Sequence, residues 1–241
     1  MAASKSKIEK NLQAVREIIA SACDRAGRPE QEVRLVAVTK GRDLDAVKAL
    51  LDLGVLDLGE SRAQQLEQRA AEVQAHLNRR REPLAGVPRW HMIGHLQRNK
   101  VRSILDVVSL IHSVDSLRLA ETINDRAERA GRTADVLLEV NCSQEAHKLG
   151  VAVGAAAHMA ELIGTMKNLR LLGLMTMAPL VADPQQARPT FVRLRELFAD
   201  MRREGIVGED FRHLSMGMSQ DYAVAVEEGA TIVRIGTALF Q

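Results

Sequence analysis

Eight short β-rich runs alternate with amphipathic helical segments, and no other feature limits the fold of this chain as strongly. The runs fall at 33–40, 55–60, 90–94, 107–114, 135–142, 170–177, 213–217 and 231–236. Between them lie segments such as "LDAVKALLDLG", with Leu44, Val47, Leu50 and Leu51 on one face, and "TFVRLRELFADMRREG", with Phe191, Leu194, Leu197, Phe198 and Met201 on one face. The apolar period changes from two, or none, to 3.6 and back, the pattern of a parallel sheet joined by crossover helices. Eight such units fit a (β/α)8 TIM barrel more economically than an open doubly wound sheet, which usually carries a Gly-rich nucleotide turn. Neither GxGxxG nor GxxxxGK occurs. One helix precedes the first strand: Ile8, Leu12, Val15, Ile18, Ile19 and Ala22 share a face, and Gly27 then Pro29 end it. The expected organisation is one α/β domain over 1–241, with a helix over about 6–27 and a barrel over about 33–240. The six prolines are expected in connections, none inside a helix or strand.

Composition narrows the function classes. Lys plus Arg number 33 and Asp plus Glu 31, so the net charge of +2 reflects balanced signs rather than a basic tail. One Trp, one Tyr and four Phe are too few for the stacking platforms of single-strand binders, and no nucleic-acid partner is expected. Cys23 and Cys142 match no metal or redox spacing, which points to reduced thiols. The polar opening "MAASKSKIEKN" does not read as a signal peptide, and no apolar run approaches a membrane span, so a soluble, cytoplasmic protein is expected.

In a barrel of this kind the chemistry sits at the C-terminal ends of the strands. Lys40 finishes "VRLVAVTKG" there. A lysine so placed can simply mark the solvated end of a strand, or it can be a nucleophilic amine at the mouth of a cavity. The seventh run ends "HLSMGMSQD" and the eighth "TIVRIGTALF", which puts Ser215, Gly217, Ser219, Gly236 and Thr237 at the two turns where barrels most often bind phosphate. Small residues make tight turns without any ligand, but two such turns in the two expected positions favour an anion. Arg234 lies inside the last run between Val233 and Ile235, where a guanidinium needs a polar cavity or a partner.

Other polar residues are weaker candidates. His91 and His95 in "HMIGHLQRNK" sit about 13 Å apart if both are on a strand, too far to share a metal, and no metal site is expected. Arg98, Lys100 and Arg102 read as the solvated face of the next helix. Asn141, Glu145 and Lys148 could belong to the rim, and Met175, Met177, Met216 and Met218 to the core or the cavity wall. A strand-end lysine with a phosphate cup serves two chemistries, a Schiff-base lyase on sugar phosphates and a protein carrying pyridoxal 5′-phosphate (PLP) as an imine. Spacing alone does not choose between them.

The motifs "AVTK", "LGES", "HMIGHLQRNK", "VNCSQEAHKLG", "GLMTMAP", "LSMGMSQD" and "VRIGTALF", in order from Val33 to Phe240, resemble the YggS/PROSC family of pyridoxal phosphate homeostasis proteins. That resemblance implies a barrel like the N-terminal domain of alanine racemase, with PLP bound as an aldimine on Lys40. It implies that Ser215, Met216, Gly217 and Ser219, with Gly236 and Thr237, hold the phosphate, and that Arg234 faces the pyridine nitrogen. A cation there disfavours protonation of the ring nitrogen and makes the cofactor a poorer electron sink. The implied role is a PLP carrier that serves apo PLP-dependent enzymes, acts as a monomer and has no robust catalysis of its own. The alternative is a racemase-like amino-acid enzyme, but the only Tyr, Tyr222, follows the seventh run, and no second domain supplies an opposed base. The family pattern Gly-Glu-Asn reads Gly59, Glu60, Ser61 here.

Overall fold

The computed structural model of the chain describes residues 4–143, 145 and 149–241. Among the described residues, nine parallel strands are present: β1 (Arg34–Val38), β2 (Asp57–Glu60), β3 (Arg89–Met92), β4 (Val108–Val114), β5 (Ala134–Asn141), β6 (Val151–Ala152), β7 (Leu169–Met175), β8 (His213–Ser215) and β9 (Ile232–Ile235). The order β4-β3-β2-β1-β9-β8-β7-β5 closes through pairing of β4 with β5, which makes an eight-stranded barrel. All eight sequence-expected runs contribute to it. The two-residue β6 lies outside the barrel, paired to the end of β5 through Val140 and Val151, and is too short to leave a periodic signal in the sequence.

Helices α1 (Lys5–Ala26), α2 (Leu44–Asp52), α3 (Ala63–Leu77), α4 (Val101–Ile104), α5 (Leu117–Arg129), α6 (Val153–Gly164), α7 (Arg188–Arg203), α8 (Tyr222–Glu227) and α9 (Thr237–Phe240) surround the strands. Ser4 caps α1 by accepting from the Lys7 N–H, and Gly27 ends it in the left-handed conformation. Its apolar face buries Ile8, Leu12, Val15 and Ile19, while Ile18 is exposed, so the stripe is narrower than the sequence suggests. Two prolines fall inside helices after all. Pro189 is the second residue of α7 and Pro184 opens a 3-10 turn, positions where the missing N–H would have no intrahelical partner. No helix among the described residues is long and apolar enough to cross a membrane.

Alternation along the strands divides the core in two. Val36, Leu110, Leu137, Leu172, Met175 and Ile232 form a cluster inside the barrel, and the larger cluster fills the layer between strands and helices. The register between β5 and β7 shifts at Gly173. A Cβ there would lie 1.9 Å from the His213 carbonyl oxygen, so only glycine admits β8 so closely. Above the interior cluster the inward positions turn polar.

Candidate functional site

β1 ends at Val38, and Lys40 occupies the turn two residues beyond, exposed at the C-terminal face of the barrel. Gly236 lies at the end of the neighbouring β9, and a Cβ on it would be 3.3 Å from Val38 Cβ, so the last turn runs directly beside the strand that leads to Lys40. Thr39, fully buried, donates to Glu60 Oε1 at 2.6 Å. The second oxygen of Glu60 is buried without a hydrogen-bond partner. Burial raises its pKa, opposed by the Thr39 hydrogen bond and by the nearby charges of Arg69 and Lys40.

The two glycine-rich turns meet through one hydroxyl. Ser219 Oγ accepts from Gly236 N–H at 3.1 Å and from Ala238 N–H at 3.2 Å, so two backbone donors converge on a single oxygen. That is the arrangement an oxyanion requires, with Thr237 exposed between the two donors. Gly217 forms the other turn with φ 92°, and a Cβ would come within 2.6 Å of Ala225 Cβ. Asp221 stiffens this turn by accepting from the Met218 N–H at 2.6 Å. Met216 points away from the mouth into the layer beneath the helices.

Ser215 and Arg234 lie deeper. Arg234, 4% exposed, points into the barrel, donating from Nη1 to Ser215 Oγ at 2.7 Å and from Nη2 to the Thr176 carbonyl at 3.0 Å. Burial lowers its pKa to about 10, while the charges of Glu139 and Asp221 act to hold its proton. Ser215 Oγ also meets His112 Nδ1 at 2.8 Å. The structure therefore separates the sequence-predicted residues into two groups, with Lys40, Ser219, Gly236 and Thr237 at the mouth and Ser215 with Arg234 inside.

A cavity of about 130 Å³ opens across the mouth from Lys40, lined by Ile93, Gly94, His95, Glu139, Asn141 and Met177. Burial raises the Glu139 carboxyl to about 7, the Asp115 charge adding to this and the Arg234 and His95 charges opposing it. His95 lies beyond β3 and contacts Asp115 at 3.1 Å. His91, by contrast, is inside the barrel, so the two histidines of the sequence motif do not converge. Arg98 and Arg102 are exposed and Lys100 half-buried. Lys148 lies outside the described residues.

Four functional candidates escaped the sequence reading: Asp57, His112, Glu139 and Thr176. His112 is legible only as a lone imidazole in the strand-like run "SLIHSV". Its partner becomes visible when the β3–β4 register sets His91 beside Leu110, one inward position from His112.

The family model for the alanine racemase N-terminal domain matches residues 8–241. A pyridoxal phosphate homeostasis protein of Aquifex aeolicus is 40% identical over 230 residues, covering 95% of each chain. A crystal structure of an unknown protein from Bifidobacterium adolescentis superposes with a TM-score of 0.91 at 41% identity, covering 98% of this chain and 95% of that one. The structure of PipY from Synechococcus elongatus, which has PLP bound, matches with a TM-score of 0.78 at 29% identity, covering 94% of this chain and all of the other (100%).

Proposed function

The chain belongs to the family of pyridoxal phosphate homeostasis proteins, on the fold of the alanine racemase N-terminal domain, and from that premise we propose that it binds PLP at the barrel mouth and passes it on. The observation that supports this best is the convergence of the Gly236 and Ala238 N–H groups on one oxygen beside the strand leading to Lys40. The donor set fits the cofactor: an exposed amine for its aldehyde, an oxyanion cradle for its phosphate and a buried cation beneath.

Lys40 would hold the aldehyde carbon as a Schiff base, with water released. Ser219 would turn its hydroxyl from acceptor to donor as a phosphate oxygen takes its place on the two N–H groups. Gly217 and Gly236 keep both turns tight enough for the backbone to approach, and Thr237 offers an exposed hydroxyl. Arg234 is cationic throughout the physiological range, so it opposes a proton on a pyridine nitrogen facing it. Bound PLP is an electron sink for carbanion chemistry, and this arrangement blunts that property. Tyr222 does not stand opposite Lys40: it is buried beneath the Gly217 turn. A cytoplasmic carrier that works as a monomer and hands PLP to apo-enzymes accounts for these features better than a racemase does.

The test is transfer. Loaded protein mixed with an apo PLP-dependent enzyme should restore that enzyme's activity while its own visible absorbance falls in step. Entry of solvent deuterium at the α-carbon of an amino acid, with steady Lys40-dependent turnover, would favour the enzyme reading instead. Light scattering decides the oligomeric state.

A further inference from the structure

A line of hydrogen-bonded side chains, buried from Asp57 inward, runs from the strand starts to Arg234. Arg89 donates from Nε and Nη2 to the two carboxylate oxygens of Asp57, at 2.8 and 2.5 Å. Asp57 Oδ1 meets His91 Nε2 at 2.9 Å, and His91 Nδ1 meets His112 Nε2 at 2.9 Å. His112 Nδ1 then meets Ser215 Oγ, which receives Arg234 Nη1. The rings cross edge to face with centroids 5.2 Å apart, and both are at most 1% exposed. The outer end is reachable from water, because Asp57 and Arg89 border a cavity of about 410 Å³ at the opposite face of the barrel.

The chemistry of the groups sets the direction of every bond. Burial pushes the Asp57 carboxyl up, but the hydrogen bonds from Arg89 and His91 outweigh it and hold the acid ionised. An ionised carboxylate only accepts, so His91 carries its hydrogen on Nε2. Burial keeps both rings neutral, with the Asp57 hydrogen bond and charge opposing at His91 and the Arg234 charge adding at His112. His91 Nδ1 therefore offers a lone pair to the His112 Nε2–H. His112 Nδ1, bare, accepts the hydroxyl hydrogen of Ser215, and Ser215 Oγ is left to accept from Arg234. Reversing any one bond sets two lone pairs or two hydrogens face to face.

We propose that His91 and His112 are positioning residues that, with Asp57, form a one-way hydrogen-bond relay holding Ser215 as an acceptor and so fixing the Arg234 guanidinium against the cofactor ring, a role that rests on the PLP-binding reading. One consequence concerns the phosphate. With its hydrogen committed to His112, Ser215 cannot donate to an anion, which leaves the cradle to Ser219 and the turn N–H groups.

The test has two arms. In ¹⁵N-histidine-labelled protein without PLP at neutral pH, both rings should be neutral Nε2–H tautomers with slowly exchanging N–H protons. Asp57→Ala, which removes a partner of His91 but none of His112, should change the tautomer of His112. In the loaded protein, Asp57→Ala and Ser215→Ala should each shift the visible band, and Ser215→Ala should weaken PLP retention about tenfold, as expected when a hydrogen bond to a charged group is lost. A wild-type ring that is protonated on Nδ1, or doubly protonated, overturns the relay. So does an Asp57→Ala protein with an unchanged His112 tautomer and an unmoved band. If Asp57→Ala does not fold, an unchanged band and affinity in Ser215→Ala overturn it. If the wild type takes up no PLP, the cofactor reading falls while the ring tautomers still decide the relay.

Discussion

The mouth of the barrel and its interior are both polar, but they are built from different materials. At the mouth, backbone N–H groups and turn residues do the work: Gly236 and Ala238 converge on Ser219, and Lys40 stands exposed beside them. Inside, side chains from β2, β3, β4, β8 and β9 satisfy one another in a line from Asp57 to Arg234 with little access to water. The difference separates two tasks. A site that must admit and release a ligand keeps its donors near solvent, whereas a group that must stay cationic in a buried place needs every neighbour committed.

Substitutions should therefore grade in stability from the interior outward, and urea unfolding can measure the series. Asp57→Ala should cost the most, about 3 kcal/mol, because it leaves the buried His91 Nε2–H unmet and removes both hydrogen bonds to the half-exposed Arg89. Ser215→Ala should follow at about 1–3 kcal/mol, since it leaves His112 Nδ1 and an Arg234 N–H unmet. Ser219→Ala, at the mouth, should cost about 0.5–2 kcal/mol, as does loss of a side chain that caps backbone donors. Lys40→Ala should fall within about 0.5 kcal/mol of wild type, being exposed and making no hydrogen bond or ion pair among the described residues. If Lys40→Ala and Asp57→Ala destabilised equally, the distinction between the two regions would be lost.

Acid sharpens the same contrast. Burial lowers the pKa of His91 and His112, and it lowers that of His213 to about 4, with the Arg34 and Arg212 charges adding. The unfolded chain thus binds more protons at these rings once the pH falls below about 6.5, and the stability they confer is lost as the pH drops from there toward the folded-state values. Glu139 acts in the opposite sense. With its folded pKa raised to about 7, its contribution is fully present below the unfolded value and is lost as the pH rises through 7. Three imidazoles against two carboxyls, Glu139 and Glu60, predict a net loss of stability between pH 6.5 and 5. Glu139→Gln should steepen that loss, and an unchanged slope would show that Glu139 is ionised in the native protein.

The same division governs what could be read in advance. The eight strands were legible because each β-rich run alternates with an amphipathic helix, and the mouth was legible because Gly217, Ser219, Gly236 and Thr237 are turn residues whose local chemistry announces them. β6 was not, since two residues give no period. The interior relay was hidden for a different reason. His112 lies 21 residues from His91 and 103 from Ser215, and only closure of the barrel with its register brings them to one line. Ser215 illustrates the limit most clearly: its neighbours in "SMGMS" suggest a phosphate turn, yet strand alternation aims its hydroxyl inward.

Borohydride reduction of the PLP-loaded protein, followed by peptide mass mapping, tests the central claim most directly. The account predicts a single adduct of the mass of reduced PLP on the peptide bearing Lys40, and none in Lys40→Ala. No adduct, or one on another lysine in the wild-type protein, would contradict it.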